Sequence, residues 1–314
     1  MRENIEIRNL NVRFSTNGKM VQALQNVNLT FRENKITGLI GESGSGKSVL
    51  GMSILQLLPS TAEVEGSCFY RNHNLYELSE KEICKIRCRE ISLIPQNPLM
   101  ALNPVLKIGR QLAEPLRTHL GMSGKNAWKA AAGNLAKFSF SEPETVMGQY
   151  SFQMSGGMNQ RIVSCMGLEC GSPWVIADEP TKGLDSILRR QVYEVLHQAR
   201  KQGSGSMILI THDLQLARKL CDYIVVLYQG HTVEQGTVQA VMEHPRHPYT
   251  RGLLNAMPSR GMHSIPLAVK GQRKGESGCP FFSRCQEASD RCKVTEIAEC
   301  GISPEQIVRC VNYA

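Results

Sequence analysis

The chain has 314 residues, of which 41% are hydrophobic and 20% charged, and its formal net charge is +8, which allows one large globular domain and a smaller one. The N-terminus lacks the apolar run of a signal peptide and no stretch approaches roughly 18 uncharged apolar residues, so we expect a soluble, cytoplasmic protein without a membrane span. Lysine and arginine are scattered, so the positive charge indicates ordinary solvated surface more than a nucleic-acid or membrane surface.

Near the N-terminus, residues 5–14 and 23–31 alternate apolar and polar side chains. Alternation with a period of two predicts two antiparallel strands joined by a turn. Phe14 ends the first of them. Its ring fits a hydrophobic core, and it could equally offer a stacking face to an adenine ring.

A glycine-rich loop then separates an apolar strand at residues 36–40 from a helix with apolar periodicity. Strand, glycine-rich loop and helix form a phosphate-binding unit, because the glycines allow successive N–H groups to point at one polyphosphate. Lys47 adds positive charge at the β- and γ-phosphates, and the Ser48 hydroxyl can reach Mg²⁺. The loop consists of Gly41, Glu42, Ser43, Gly44, Ser45, Gly46, Lys47 and Ser48.

The next span is predicted to be mostly helical. A strand at residues 91–94 leads to Gln96, and no strand is evident from there to about residue 148. We interpret residues 97–165 as a helical insertion. Ser155, Gly156 and Gly157 precede an apolar helix, and this helix start provides compact backbone donors for a phosphate.

A buried strand at residues 174–177 ends in two carboxylates, Asp178 and Glu179. Such a position suits metal binding and catalysis in an open α/β sheet. Neighbouring strand side chains face opposite ways, so we expect Asp178 to hold Mg²⁺ and Glu179 to polarise the attacking water. His212 follows another buried strand and could bind the γ-phosphate or orient Glu179, the alternative being a structural role.

In this order the motifs resemble those of the ATP-binding subunit of an ABC transporter, over residues 5–241. The resemblance implies ATP and Mg²⁺ as ligands, with the metal held by Ser48, Gln96 and Asp178. It implies the following roles: Phe14 as the adenine-stacking aromatic, residues 41–48 as Walker A, Gln96 as the Q-loop residue, Ser155, Gly156 and Gly157 as the signature, Asp178 and Glu179 as Walker B with its catalytic glutamate, Asp185 as the D-loop residue and His212 as the switch histidine.

The resemblance implies an α/β fold of the P-loop NTPase class. An ABC-type cassette at residues 1–240 contains an antiparallel β subdomain and the helical insertion, and a small cysteine-containing extension occupies residues 241–314. In this family the signature closes over ATP held by a partner. The implied partners are a second ATP-binding subunit, expected to be a different chain, two transmembrane permease subunits and an extracytoplasmic substrate-binding protein, with no nucleic acid. The implied location is peripheral, on the cytoplasmic face of the bacterial membrane.

The C-terminal extension resembles that of the oligopeptide, dipeptide and nickel importer branch, in residues 244–250 and 279–285. Five of the eleven cysteines fall in the last 36 residues, three of them in a C-x₅-C-x₆-C pattern. This spacing alone does not decide between an iron–sulfur cluster, zinc and unligated thiols. Resemblance to cluster-bearing members of the branch favours [4Fe–4S] over zinc, and Cys310 over Cys300 as the fourth ligand; the expected ligands are Cys279, Cys285, Cys292 and Cys310.

Together these features predict an ATPase subunit that powers import of peptides or nickel chelates through a membrane ABC transporter. The alternative is a soluble ABC ATPase that acts on nucleic acid or ribosomes. Proteins of that kind usually carry two cassettes or a long coiled-coil insertion, and the sequence shows neither.

Overall fold

The computed structural model describes residues 3–16, 18–201, 205–266, 278–294 and 297–314. The strands are β1 (Ile5–Thr16), β2 (Lys19–Phe31), β3 (Ile36–Ile40), β4 (Ala62–Tyr70), β5 (His73–Asn74), β6 (Ile91–Ile94), β7 (Trp174–Asp178), β8 (Ser206–Ile210), β9 (Tyr223–Tyr228), β10 (His231–Thr237), β11 (Cys300–Ser303) and β12 (Gln306–Val308). The α-helices are α1 (Lys47–Ile54), α2 (Glu80–Ile86), α3 (Pro98–Ala101), α4 (Ile108–Leu120), α5 (Gly124–Lys137), α6 (Pro143–Met147), α7 (Gly156–Leu168), α8 (Ser186–Lys201), α9 (Leu214–Leu220), α10 (Val238–Glu243), α11 (Pro248–Asn255) and α12 (Arg291–Val294).

The chain divides into two compact units. The first contains residues 1–32, 37–76 and 211–314, and the second contains residues 33–36 and 77–210. Within the described residues, no helix is both long enough and apolar enough to span a membrane.

An antiparallel sheet of the first unit has the strand order β2-β1-β4-β5. Strands β1 and β2 pair with Ile5 opposite Phe31, which confirms the antiparallel strands and the β subdomain predicted from alternation. Apolar side chains that alternate along both strands are fully buried, among them Ile5, Leu24 and Val27. One face of the sheet therefore supports a core, as the period of two predicts.

The other strands of the first unit lie in the order β11, β12, β10, β9, β3. Strands β3 and β9 are parallel, whereas β10 pairs antiparallel with β9 and with β12. All five residues of β3 are buried, which is typical of a strand covered on both faces. Strands β11 and β12 come from the C-terminal extension, so the extension prolongs this sheet at its edge.

The second unit combines parallel strands with helices. Strands β6, β7 and β8 lie side by side and parallel. Between β6 and β7, where every residue is described, five α-helices follow one another from α3 to α7, which confirms the predicted helical span. On α4 the side chains of Ile108, Leu112 and Leu116 are buried at a spacing of four residues, so one stripe of this helix faces the core.

Candidate nucleotide site

The loop between β3 and α1 depends on its glycines. Gly41, Gly44 and Gly46 have φ angles of 150°, 77° and 103°, a conformation that L side chains rarely adopt. A Cβ atom on Gly41 would lie 2.2 Å from the carbonyl oxygen of Leu227, and one on Gly46 would lie 2.8 Å from that of Ala23. Close backbone approach therefore excludes any side chain at these two positions, which the motif alone did not show.

Lys47 is folded back into the curl of this loop. Its Nζ atom donates hydrogen bonds to the carbonyl oxygens of Gly41 at 2.9 Å and Glu42 at 2.8 Å, and to Ser45 Oγ at 3.3 Å. The side chain is 7% exposed, and the first turn of α1 carries no acidic residue. The Lys47 ammonium group and the N-terminus of α1 therefore both contribute positive electrostatic potential at the loop. This potential favours binding of a phosphate.

A cleft of about 300 Å³ opens at the outer side of the loop. Its lining is mainly polar and includes residues 42–45 of the loop itself, Gln22 and Ala23 of β2, and Tyr228 and Gln229 at the end of β9. The loop is therefore accessible from solvent, as a site that exchanges a nucleotide requires.

Phe14, the predicted adenine-stacking residue, lies near the end of β1 in the same unit as the loop. It pairs with Val21 of β2 and Ala62 of β4, and its side chain is only half-buried. Part of the ring surface is therefore available for stacking.

His212 lies where the chain passes the carboxyl end of β3. The Thr211 N–H group donates to the Leu39 carbonyl oxygen at 3.1 Å, one residue before β3 ends. His212 itself is exposed, and Asp213 caps α9 directly after it. His212 therefore directly follows a residue that is hydrogen-bonded to β3, the strand that leads into the glycine-rich loop.

Asp178 and Glu179 lie together at the end of β7 in the second unit, and both side chains are 6% exposed. Asp178 still belongs to the strand, whereas Glu179 has φ of 49° and donates its N–H to the Ile210 carbonyl oxygen at 2.8 Å. The sequence argument assumed that the strand continues through Glu179. The structure shows instead that a left-handed residue redirects the chain there, and such conformations are typical of functional positions.

Gln96 leaves the sheet at the same edge as Asp178. Strands β6 and β7 are parallel, with Ile94 opposite Ala177, and Gln96 follows β6 by two residues. Its side chain is half-buried. An amide oxygen and a carboxylate oxygen, both suitable for Mg²⁺, therefore come from neighbouring strand ends.

The predicted signature is exposed at the start of α7. Ser155 caps the helix, its Oγ accepting from the Met158 N–H at 3.3 Å. A Cβ atom on Gly156 would meet nothing within 4 Å, whereas one on Gly157 would lie 2.7 Å from a Leu188 methyl group. Gly156 thus presents open backbone, while Gly157 is small because α8 packs against it.

Asp185 fixes the beginning of α8. Its Oδ1 atom accepts from the N–H groups of Ile187 at 3.0 Å and Leu188 at 2.9 Å. A carboxylate at this place is a strong N-cap and interacts favourably with the helix dipole. The predicted D-loop residue therefore has a clear structural role, and its role toward a partner stays a prediction.

The comparison with known proteins decides the family. A family model described as "ABC transporter" matches residues 24–182, and one described as "Oligopeptide/dipeptide transporter, C-terminal region" matches residues 233–292. The chain belongs to the ABC transporter family.

Individual ABC proteins resemble this chain over most of its length. Oligopeptide transport ATP-binding protein OppD of Haemophilus influenzae is 37% identical over 295 residues, 92% of this chain and 91% of the relative. Dipeptide transport ATP-binding protein DppD of Bacillus subtilis is 39% identical over 292 residues, 91% of this chain and 87% of the relative. The resemblance to an ABC ATPase of the oligopeptide/dipeptide branch is therefore confirmed.

A solved structure confirms the ABC fold. The dimeric ATP-binding cassette MJ0796, in a post-hydrolysis state bound to ADP and Pi, is 26% identical with a TM-score of 0.67. The superposition covers 74% of this chain and 98% of that cassette.

Cys279 of the ABC protein's C-terminal extension packs against the apolar cluster that contains Cys292, and with Cys285 against a second cluster. Burial, followed by the thiols of Cys292, Cys285 and Cys310, raises the pKa of Cys279 to about 11. The N–H group of Cys279 also donates to the Cys292 carbonyl oxygen at 2.8 Å, while Cys300 lies on β11 opposite Val308. Thiols are the donors that iron–sulfur clusters take, but among the described residues no group of three or more candidate ligands is arranged to hold a metal ion.

Sequence reasoning missed three residues next to the glycine-rich loop, of which Arg284 and Tyr249 bond to it directly. Arg284 binds the Glu42 carboxylate, the Tyr249 hydroxyl accepts from the Glu42 N–H group, and the Tyr228 hydroxyl lies beside Arg284. Glu42 and Arg284 are 242 residues apart. No local pattern in the sequence signals a contact of that range.

Proposed function

We propose that this chain binds and hydrolyses ATP to power the import of peptides through a membrane ABC transporter. Support comes from the buried Lys47 inside a glycine loop that tolerates no side chain at Gly41, together with matches to both the cassette and the C-terminal region. The OppD and DppD relatives are, by their names, oligopeptide and dipeptide transport proteins. Nickel chelates, the other predicted cargo, have no such support and stay a prediction.

In the proposed reaction the loop N–H groups and Lys47 hold the β- and γ-phosphates, and Phe14 stacks on the adenine. Glu179 orients the attacking water, and His212 contacts the γ-phosphate. Oxygens of Ser48, Gln96 and Asp178 would hold Mg²⁺, which would neutralise phosphate charge. These oxygen donors fit a hard cation, and Asp178 and Gln96 leave neighbouring strand ends.

The proposed assembly is a pair of cassettes. Ser155 and Gly156 are exposed, so their backbone is open to ATP held by a partner. The solved relative MJ0796 is dimeric, which supports the pairing of cassettes. The partner is a second ATP-binding subunit, expected to be a different chain, and both dock on two permease subunits at the cytoplasmic face of the membrane. An extracytoplasmic binding protein delivers the cargo.

The decisive experiment separates binding from turnover. Glu179→Gln should retain ATP binding and lose hydrolysis, because the carboxylate that orients water is replaced by an isosteric amide. Lys47→Ala should lose ATP binding itself, whereas Lys129→Ala, an exposed lysine on α5, should bind like the wild type. Equilibrium dialysis with labelled ATP and phosphate release measure the two steps. Wild-type hydrolysis in Glu179→Gln would remove the assignment.

A [4Fe–4S] cluster on Cys279, Cys285, Cys292 and Cys310 forms part of the proposal. Support comes from the donor type and from the packing of Cys279 near Cys292 and Cys285. Anaerobic reconstitution should give about four irons per chain and a broad visible absorption band. Both should be lost in Cys292→Ser and kept in Cys300→Ser. Zinc without iron in the isolated protein would favour the zinc alternative, and neither metal would favour free thiols.

Fractionation distinguishes the proposed importer function from the rival function, a soluble ABC ATPase acting on nucleic acid or ribosomes. An importer subunit should co-purify with permease subunits from detergent-solubilised membranes. Recovery with ribosomes or nucleic acid, sensitive to nuclease, would favour the rival.

A further inference from the structure

The second residue of the Walker A loop is bound by an arginine of the C-terminal extension. The Arg284 Nη1 and Nη2 atoms donate to the two carboxylate oxygens of Glu42 at 2.8 and 2.9 Å. The Arg284 side chain is 13% exposed and that of Glu42 is 38% exposed. A paired geometry of this kind fixes both the direction and the distance of the contact.

Arg284 is itself held in place before it meets the loop. Its Nε atom donates to the Pro266 carbonyl oxygen at 2.8 Å, and its Nη1 atom lies 3.4 Å from the Tyr228 hydroxyl. The guanidinium carbon lies 5.7 Å from the centre of the Tyr228 ring and 5.8 Å from that of Phe281. The guanidinium therefore rests on a fixed aromatic platform, which lowers the entropy lost in binding Glu42.

The backbone of Glu42 is fixed as well. Its N–H group donates to the Tyr249 hydroxyl at 2.9 Å, and its carbonyl oxygen accepts from Lys47 Nζ at 2.8 Å. Tyr249 is fully buried on α11, and its ring lies 4.6 Å from that of Tyr228. The same loop residue is thus bound through its N–H, its carbonyl and its carboxylate, and two of these three partners come from residues after 240.

Charge gives this contact a consequence for the nucleotide. Glu42 lines the cleft next to the loop, so its carboxylate would face a triphosphate with like charge. Arg284 offsets that negative charge at hydrogen-bond distance. Arg284 therefore reduces the repulsion between the Glu42 carboxylate and a polyphosphate bound at the loop.

We propose that Arg284 is a positioning residue for ATP, neutralising Glu42 and holding the Walker A loop in its phosphate-binding shape. The proposal rests on ATP being the ligand of this site. It assigns to the C-terminal extension a direct role in nucleotide affinity. Phe281 and Arg284 lie between Cys279 and Cys285, so a change at those thiols would reach the loop through the same short segment.

The test is a double-mutant cycle on the full-length chain, with MgATP affinity as the readout. Arg284→Gln should weaken binding roughly tenfold, as expected for a partly exposed charge-assisted pair. Adding Glu42→Gln to Arg284→Gln should recover most of that loss, because the unneutralised carboxylate is then gone. A merely structural role of Arg284 predicts no recovery.

Arg218→Gln is the matched control, since it removes one positive charge from the more exposed pair with Glu243 in the same unit. It should bind ATP like the wild type. If Arg284→Gln does not fold, Arg284→Lys carries the test, because it keeps the charge and should bind within about threefold of the wild type.

The outcomes separate the two claims. Failure of the wild type itself to bind ATP overturns the proposed function. Two results overturn only the role of Arg284. In one, the wild type binds ATP and Arg284→Gln binds it with the same affinity. In the other, Arg284→Gln loses affinity and Glu42→Gln does not recover it. A tenfold loss in Arg284→Lys does the same.

Discussion

Gly41 and Gly44 provide a sharp test of how the Walker A loop is shaped. A methyl group on Gly41 would lie 2.2 Å from the Leu227 carbonyl oxygen, whereas one on Gly44 would meet nothing within 4 Å. Leu227 lies inside β9, which pairs with β3 on one side and β10 on the other. The strand therefore cannot yield, and the loop itself must move in Gly41→Ala by roughly 1 Å to restore van der Waals distance.

The magnitudes follow from that difference. A displacement of about 1 Å at reacting groups costs on the order of 100-fold in rate, so Gly41→Ala should lose about that factor in ATPase kcat/KM. Overpacking should also cost about 1–3 kcal/mol of stability. Gly44→Ala has only its φ of 77° to accommodate, which costs roughly 1–2 kcal/mol without displacing a neighbour.

Two assays check the Gly41 prediction. Phosphate release at varied ATP concentration gives kcat/KM, and thermal unfolding without nucleotide gives the change in stability. Gly41→Ala should be the more impaired variant in the first assay by at least about tenfold. Equal losses in the two variants would show that backbone conformation alone, and not the approach to Leu227, fixes the loop.

Three further predictions concern other parts of the chain. Phe14→Ala should weaken ATP binding roughly 5- to 150-fold, the usual range of base–aromatic stacking, while Phe14→Trp keeps it; unchanged affinity in Phe14→Ala would exclude stacking. Burial lowers the pKa of His247 from 6.5 to about 3, so between about pH 3 and pH 6.5 the unfolded chain binds a proton that the folded chain does not. The free energy of unfolding should then fall by up to about 1.4 kcal/mol for each unit by which the pH is lowered. His247→Asn can still cap α11, and it should reduce this pH dependence in urea titrations. Diamide should link Cys88 to Cys170, whose sulfur atoms are 3.3 Å apart, and peptide mapping that finds both thiols free after oxidation would contradict this.

The parts of the site predicted from sequence are those encoded locally. The glycine-rich loop, the carboxylates at the end of β7 and the predicted signature before α7 each depend on a few consecutive residues, whose backbone and helix-start chemistry act within one turn. Alternation along β1 and β2 likewise predicted their pairing, because a period of two puts one face of each strand in the core.

What the sequence did not predict depends on long-range packing. Glu179 adopts φ of 49° because the chain turns where its N–H meets Ile210 of the neighbouring strand. Cys88 lies next to Cys170, which is 82 residues away along the chain. Neither contact produces a periodic pattern in the sequence, so residue spacing could not predict either of them.

The C-terminal extension shows why single substitutions test the ATP site better than truncation. Strand β12 pairs with β10 from Gln306 to Val308, and the Phe281 ring lies 5.2 Å from that of Tyr228. Removing the extension would expose the β10 edge and the buried face of the Tyr228 ring as well as removing Arg284, and an exposed strand edge promotes aggregation. Loss of ATP binding in such a truncation could arise from any of these changes, whereas Arg284→Gln leaves β12 and the ring cluster in place. A defect in that variant that Glu42→Gln recovers can therefore be assigned to the contact with Glu42.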